Sequence, residues 1–91
     1  MGDLKNFLDE QGRLKLFPAK RGMKLLALAF LAEKFEADVT YSERQVNDLL
    51  NGWHTFNDPA TLRRELYDFH FLDRTADGKA YRLSEPQPQI M

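Results

Sequence analysis

Between Tyr41 and Gly78 the chain carries start and stop signals so closely spaced that each segment is left one structural option. Ser42 is a strong helix N-cap, Gln45 completes an S-x-x-Q capping box, and Tyr41 is placed to staple to Val46. Val46, Leu49 and Leu50 form one apolar stripe, and Asn51-Gly52 supplies the stop. Asp58 then caps a further helix, with Pro59 at its first position. Within it Leu62, Leu66 and Phe69 fall at i, i+4 and i+7 and bury one side. At ~100° per residue, Ala60, Arg64, Tyr67 and Asp68 point to the opposite side, with Arg63 on its flank. Two alternating segments follow, Phe71–Thr75 and Lys79–Leu83, joined through Asp77-Gly78, which is a hairpin signal.

Upstream lies the most apolar segment, a helix expected over Lys20–Phe35. Its middle turns, Leu25 to Ala32, leave almost no polar face, so it belongs in a core or under a partner. Before it, Leu4, Phe7 and Leu8 are spaced for one or two helical turns ending at Gly12. Arg13-Leu14-Lys15-Leu16-Phe17 alternates as a short edge strand does, and Pro18 ends it. The order is helix, short extended piece at Val39-Thr40, helix, helix, hairpin. That order predicts an α+β winged helix-turn-helix: three core helices, a C-terminal β-hairpin wing and a short N-terminal helix/strand extension. Leu72–Thr75 should pair antiparallel with Ala80–Leu83, joined by a third strand near Val39–Thr40 or Leu14–Phe17. A single domain over residues 1–84 and a flexible tail over 85–91, with Pro86 and Pro88, complete the expectation.

Several function classes are excluded or disfavoured by composition. Lys and Arg total 13 against 14 Asp and Glu, a net charge of −1, so the chain is no strongly basic histone-like protein. Without cysteine there are no disulfides and no thiolate zinc site. His54 and His70 are the only histidines, sixteen positions apart, and no metal or cofactor is expected. No glycine-rich phosphate loop, G-x-S-x-G or paired-carboxylate motif stands out, so the chain is not expected to be an enzyme. The run Leu25–Ala32 is under half of a ~20-residue membrane span, and Met1-Gly2-Asp3 opens no signal peptide. A cytoplasmic location is the expectation.

Charge placement nominates the binding residues. On the third helix Ala60, Thr61, Arg63, Arg64 and Tyr67 stand where a recognition helix meets the major groove, and arginine to guanine is the commonest specific contact there. Arg74, Lys79 and Arg82 in the wing are candidates for adjacent phosphates. Glu65 and Asp68 share the helix and oppose that field. A candidate anion patch comprises Arg13, Lys15, Lys20, Arg21 and Lys24, with no acid between Gln11 and Ala32. Lys20, Arg21 and Lys24 open a helix, where the dipole disfavours cations. The aromatic residues sit mostly at core spacings, while Trp53 and Phe56 are placed to pin the Gly52–Asp58 connection onto the core.

These residues also carry a resemblance. Phe7-Leu8-Asp9-Glu10-Gln11-Gly12-Arg13-Leu14, Phe17-Pro18-Ala19-Lys20, Leu31-Ala32-Glu33-Lys34-Phe35, Tyr41-Ser42-Glu43-Arg44-Gln45-Val46-Asn47, Leu62-Arg63-Arg64-Glu65-Leu66 and Leu72-Asp73-Arg74-Thr75 follow one another as in the bacterial family called domain of unknown function 2087, which the chain resembles from Phe7 to Arg82. Members of that family stand alone or are joined to helix-turn-helix or acetyltransferase domains, and this chain resembles the stand-alone form. The resemblance implies a regulatory context and no known chemistry. The leading expectation is therefore a DNA-binding transcriptional regulator domain that takes double-stranded DNA, with a homodimer through the Lys20–Phe35 helix. The alternative is a winged-helix protein–protein interaction module without DNA binding. A basic recognition face and wing favour the first. A flat apolar groove on the first long helix, or Arg63 and Arg64 tied into internal pairs, favours the second.

Overall fold

The computed structural model describes residues 4–89. Met1-Gly2-Asp3, where a signal peptide was not expected, and Ile90-Met91 at the end of the expected tail lie outside the described residues. The elements are a 3-10 turn over Leu4–Phe7, α1 over Arg21–Ala32, β1 over Tyr41–Ser42, α2 over Glu43–Asn51, α3 over Pro59–Asp68, β2 over Leu72–Arg74 and β3 over Ala80–Leu83. This is an α+β chain of three helices followed by C-terminal antiparallel strands, consistent with a winged helix.

Local chemistry explains the sharp boundaries. Ser42 Oγ accepts from Gln45 N–H at 3.1 Å while Gln45 Oε1 accepts from Ser42 N–H at 2.8 Å, so the capping box closes α2 in both directions. Asp58 Oδ1 accepts from Thr61 N–H at 3.2 Å and starts α3 ahead of Pro59. The wing turn is tied by Asp77, which accepts from the Thr75 hydroxyl at 2.6 Å and from Lys79 N–H at 3.0 Å. Gly78 sits at φ +72°, a conformation that side chains with a Cβ rarely adopt.

β3 lies between β1 and β2, with Leu72 opposite Leu83, Asp73 opposite Arg82, and Tyr41 opposite Tyr81. The third strand thus forms at Tyr41–Ser42, just after Val39-Thr40, and not at Leu14–Phe17. The expected edge strand over Arg13–Phe17 is a correction, because only Leu14 makes β-bridges, to Leu8 and to His54. Leu14 N–H donates to Trp53 O at 2.8 Å and Leu14 O accepts from Thr55 N–H at 2.9 Å. Its backbone groups are consumed by the α2–α3 connection, leaving none for the sheet. Leu16 beside it is 61% exposed. The helix expected from Lys20 to Phe35 is regular over Arg21–Ala32, and tighter turns carry it on, with Lys34 N–H and Phe35 N–H donating to Leu31 O and Ala32 O.

The core joins Leu28 and Leu31 of α1, Val46 and Leu50 of α2, Leu62 and Leu66 of α3, and Leu72 and Tyr81 of the sheet, with Leu14 and Phe71. Each fully buried leucine contributes about 1.5–3 kcal/mol. Past β3, Ser84 N–H donates to Phe71 O, and the Gln87 side-chain amide donates to Phe71 O at 2.9 Å and to Ser84 O at 2.8 Å.

Three carboxylates that accept local backbone hydrogen bonds, Asp9, Asp58 and Asp77, are expected to make the fold acid-sensitive. The Arg13 backbone N–H, then that of Gln11, holds Asp9 below its ordinary value of 3.8. The Thr61 hydroxyl and backbone N–H do the same for Asp58, and the Thr75 hydroxyl and Lys79 N–H for Asp77. A lowered folded-state pKa means the folded chain releases these protons more readily than the unfolded one. The stabilisation is therefore complete above the unfolded value and is lost as pH falls through the folded values. The melting temperature should drop as pH is lowered from about 4 to about 2, and Asp→Asn changes at these three sites should flatten that limb. Melting as high at the bottom of that range as at its top would contradict the assignment.

Candidate nucleic-acid interface

The outer face of α3 and the wing meet in a cleft of about 320 Å³ lined by Ala60, Arg63, Arg64, Tyr67, Asp68, Arg74 and Tyr81. Leu62 and Leu66 on the opposite side of α3 are fully buried, which fixes the helix rotation and turns Ala60, Arg64, Tyr67 and Asp68 outward. Antiparallel pairing of β2 with β3 brings Arg74 to the same cleft, opposite Tyr81 in register.

Adjacent arginines on α3 have different fates. Arg63 lies against α2, where Nη1 donates to Asn47 Oδ1 and Nη2 is 3.8 Å from Glu43 Oε1; its side chain is only 17% exposed. It is a clamp between the two helices. Arg64, one position on and about 100° around the helix, is exposed and makes no hydrogen bond or ion pair among the described residues. Thr61 is half-buried and its N–H belongs to the Asp58 cap, while Ala60 is exposed.

In the wing, the Arg74 guanidinium sits 4.4 Å from the Tyr67 ring centroid, a cation–π contact joining hairpin to helix. The Tyr67 hydroxyl, and after it that of Tyr81, raises the Arg74 pKa, so its positive charge is secure. Lys79 at the tip is exposed, and so is Arg82, which faces Asp73 across the ladder.

Of the five basic residues nominated as an anion patch before and at the start of α1, two are paired with acids. Arg13 pairs with Asp9 through Nε and Nη2, both at 3.0 Å. Lys24 Nζ is 3.3 Å from Glu65 Oε1, an ion pair without hydrogen-bond geometry, and lies 5.8 Å from the Phe69 ring. Arg21 lies 5.3 Å over the same ring. Cations at the start of α1 are therefore placed beside the C-terminal end of α3, where the dipole favours them. Lys15 and Lys20 stay exposed.

His54 had no role in the sequence reading beyond its isolation. It is 4% exposed, and its Nε2 accepts the Asp58 backbone N–H at 2.9 Å. The other nitrogen, Nδ1, must then carry the proton and donate to Leu50 O at 2.7 Å. The ring thus ties the end of α2 to the cap of α3. Trp53 stacks edge-on against Phe30 at 6.1 Å, and Phe56 against His54 at 4.7 Å, so both aromatics pin the connection. Position in the connection was the one available signal for His54; its partners are set by packing.

Among the described residues no group of three or more His, Cys, Asp or Glu side chains could hold a metal ion, and no helix is long and apolar enough to cross a membrane. No curated protein and no solved structure matches the chain. One family does match, over residues 13–83, which include α1, α2, α3, the wing and every lining residue of the cleft. The chain belongs to that family, domain of unknown function 2087 (DUF2087), described as uncharacterized proteins conserved in bacteria.

Proposed function

We propose that the domain is a non-enzymatic, cytoplasmic double-stranded DNA-binding module of transcription regulation, with α3 in the major groove and the hairpin against the backbone. The observation that carries this reading is the cleft in which an unpaired Arg64 stands beside an Arg74 anchored on Tyr67. An unpaired guanidinium on an outward helix face suits the two acceptors of guanine, and a secured one on the wing suits a phosphate. The reading extends to a homodimer through α1, whose Met23 and Leu26 are half-buried and stand outside the core cluster.

Sedimentation with pooled random duplex DNA at two salt concentrations tests both parts. A module of this size should neutralise about 4–6 phosphates, giving a slope of log K against log salt near −4 to −5. Lys79→Ala should lower that slope by ~1 for all sequences alike. The DNA-free protein should sediment above its 10.6 kDa monomer at tens of micromolar; a clean monomer removes the dimer. Absence of duplex binding at low salt removes the DNA reading. The internal pairing of Arg63 favours the second reading, a protein–protein interaction module on the same cleft.

A further inference from the structure

Asp68 is the one acidic side chain lining the cleft. It ends α3, at the negative pole of the helix dipole, where a carboxylate is unfavourable. No compensation is made for it: Asp68 has no hydrogen bond or ion pair among the described residues. Arg64 is four positions earlier, the spacing at which Arg44 and Asp48 of α2 do pair, at 4.0 Å. On α3 the equivalent cation and anion both stay open to the cleft. Fold stability thus accounts for neither the place of Asp68 nor its lack of a partner.

Ala60, Arg64 and Asp68 recur every four residues along the exposed face. Arg64 and Asp68 are ~6 Å apart along the helix axis, against about 3.4 Å per base pair. They therefore address base pairs one or two steps apart. A carboxylate in the major groove accepts hydrogen bonds only. It is repelled by phosphates, by guanine N7 and O6, by thymine O4 and by the N7 that stands beside the adenine amino group. It is best satisfied by the cytosine amino group, which has no acceptor next to it on its own base.

Building on the DNA-binding reading, we propose that Asp68 is a specificity determinant that selects cytosine one or two base pairs from the guanine taken by Arg64. The acid that weakens the general field of this face thereby rejects sequences that put an acceptor against it at that position.

The experiment is selection from a random duplex pool by the full chain and by Asp68→Asn and Asp68→Ala, with thermal melts of all three. The parent protein should enrich cytosine at one position, and changing that base to thymine should weaken binding about 5- to 10-fold. Asp68→Asn should move the preference to adenine, and Asp68→Ala should flatten it, while both bind bulk DNA more tightly. Unchanged base preference in both variants, with affinity rising equally for every sequence, overturns the proposal and leaves Asp68 a repulsive charge. A lowered melting temperature in both variants also overturns it, by giving Asp68 a structural part. If none of the three proteins binds duplex at low salt, the DNA-binding reading itself falls, an outcome distinct from the other two.

Discussion

His54→Ala should lower the stability of the domain by about 2–4 kcal/mol, the largest effect expected of any polar residue in the chain. The imidazole occupies a buried position between α2 and α3 and serves both of its nitrogens. Removing it leaves the Asp58 N–H without its partner and takes one of two donors from the Leu50 carbonyl, which keeps the Trp53 N–H at 2.9 Å. An unsatisfied group costs about 1–3 kcal/mol where water cannot replace the ring. It also opens a void beside Phe56, whose ring packs on the histidine. A domain of this length has roughly 5–14 kcal/mol of stability in total. Thermal unfolding should therefore move down by about 10–30 °C. A variant melting within about 3 °C of the parent would show that the two hydrogen bonds contribute little in solution.

The second large effect separates two neighbouring arginines. Arg64→Ala should weaken binding to a preferred duplex by about 1–3 kcal/mol, roughly 5- to 150-fold, if the guanidinium meets a guanine. Its thermal stability should stay within about 0.5 kcal/mol, because the side chain is exposed and its charge acts on the fold only through a minor attraction to the Asp58 cap. Arg63→Ala should do the reverse, removing about 1–3 kcal/mol of stability with the loss of its charged hydrogen bond to Asn47 and its ion pair with Glu43. Melting curves and duplex titrations of the two variants give four numbers. A destabilised Arg64→Ala, or an Arg63→Ala that melts normally and loses DNA, would exchange the roles and require a different face of α3 to meet the ligand.

The order of elements and the exposed face of α3 were legible before the structure because their causes are local. Ser42 with Gln45, Asp58 with Thr61 and Asp77 with Lys79 act over two or three residues, and such hydrogen bonds form wherever the chain is placed. The burial of Leu62 and Leu66 follows from helical periodicity, and with it the outward position of Arg64. Tertiary structure decided what depends on distant partners. Leu14 alternates with charged neighbours as a strand residue does, yet its backbone pairs with the connection around Trp53 and Thr55, about forty positions away in the chain. A period-2 pattern specifies extended backbone and says nothing of which neighbour supplies the hydrogen bonds. Arg63 and Arg64 are chemically identical and adjacent, and only the packing of α2 beside α3 brings Asn47 and Glu43 to one of them. In the same way Glu65 takes Lys24, withdrawing one cation of the basic segment, and Tyr67 takes Arg74, building the cleft beside the wing. Charge along the sequence determined how many cations this chain has. Which of them remain open to a ligand was settled by the acids and rings that folding brought within about 4–6 Å of the others.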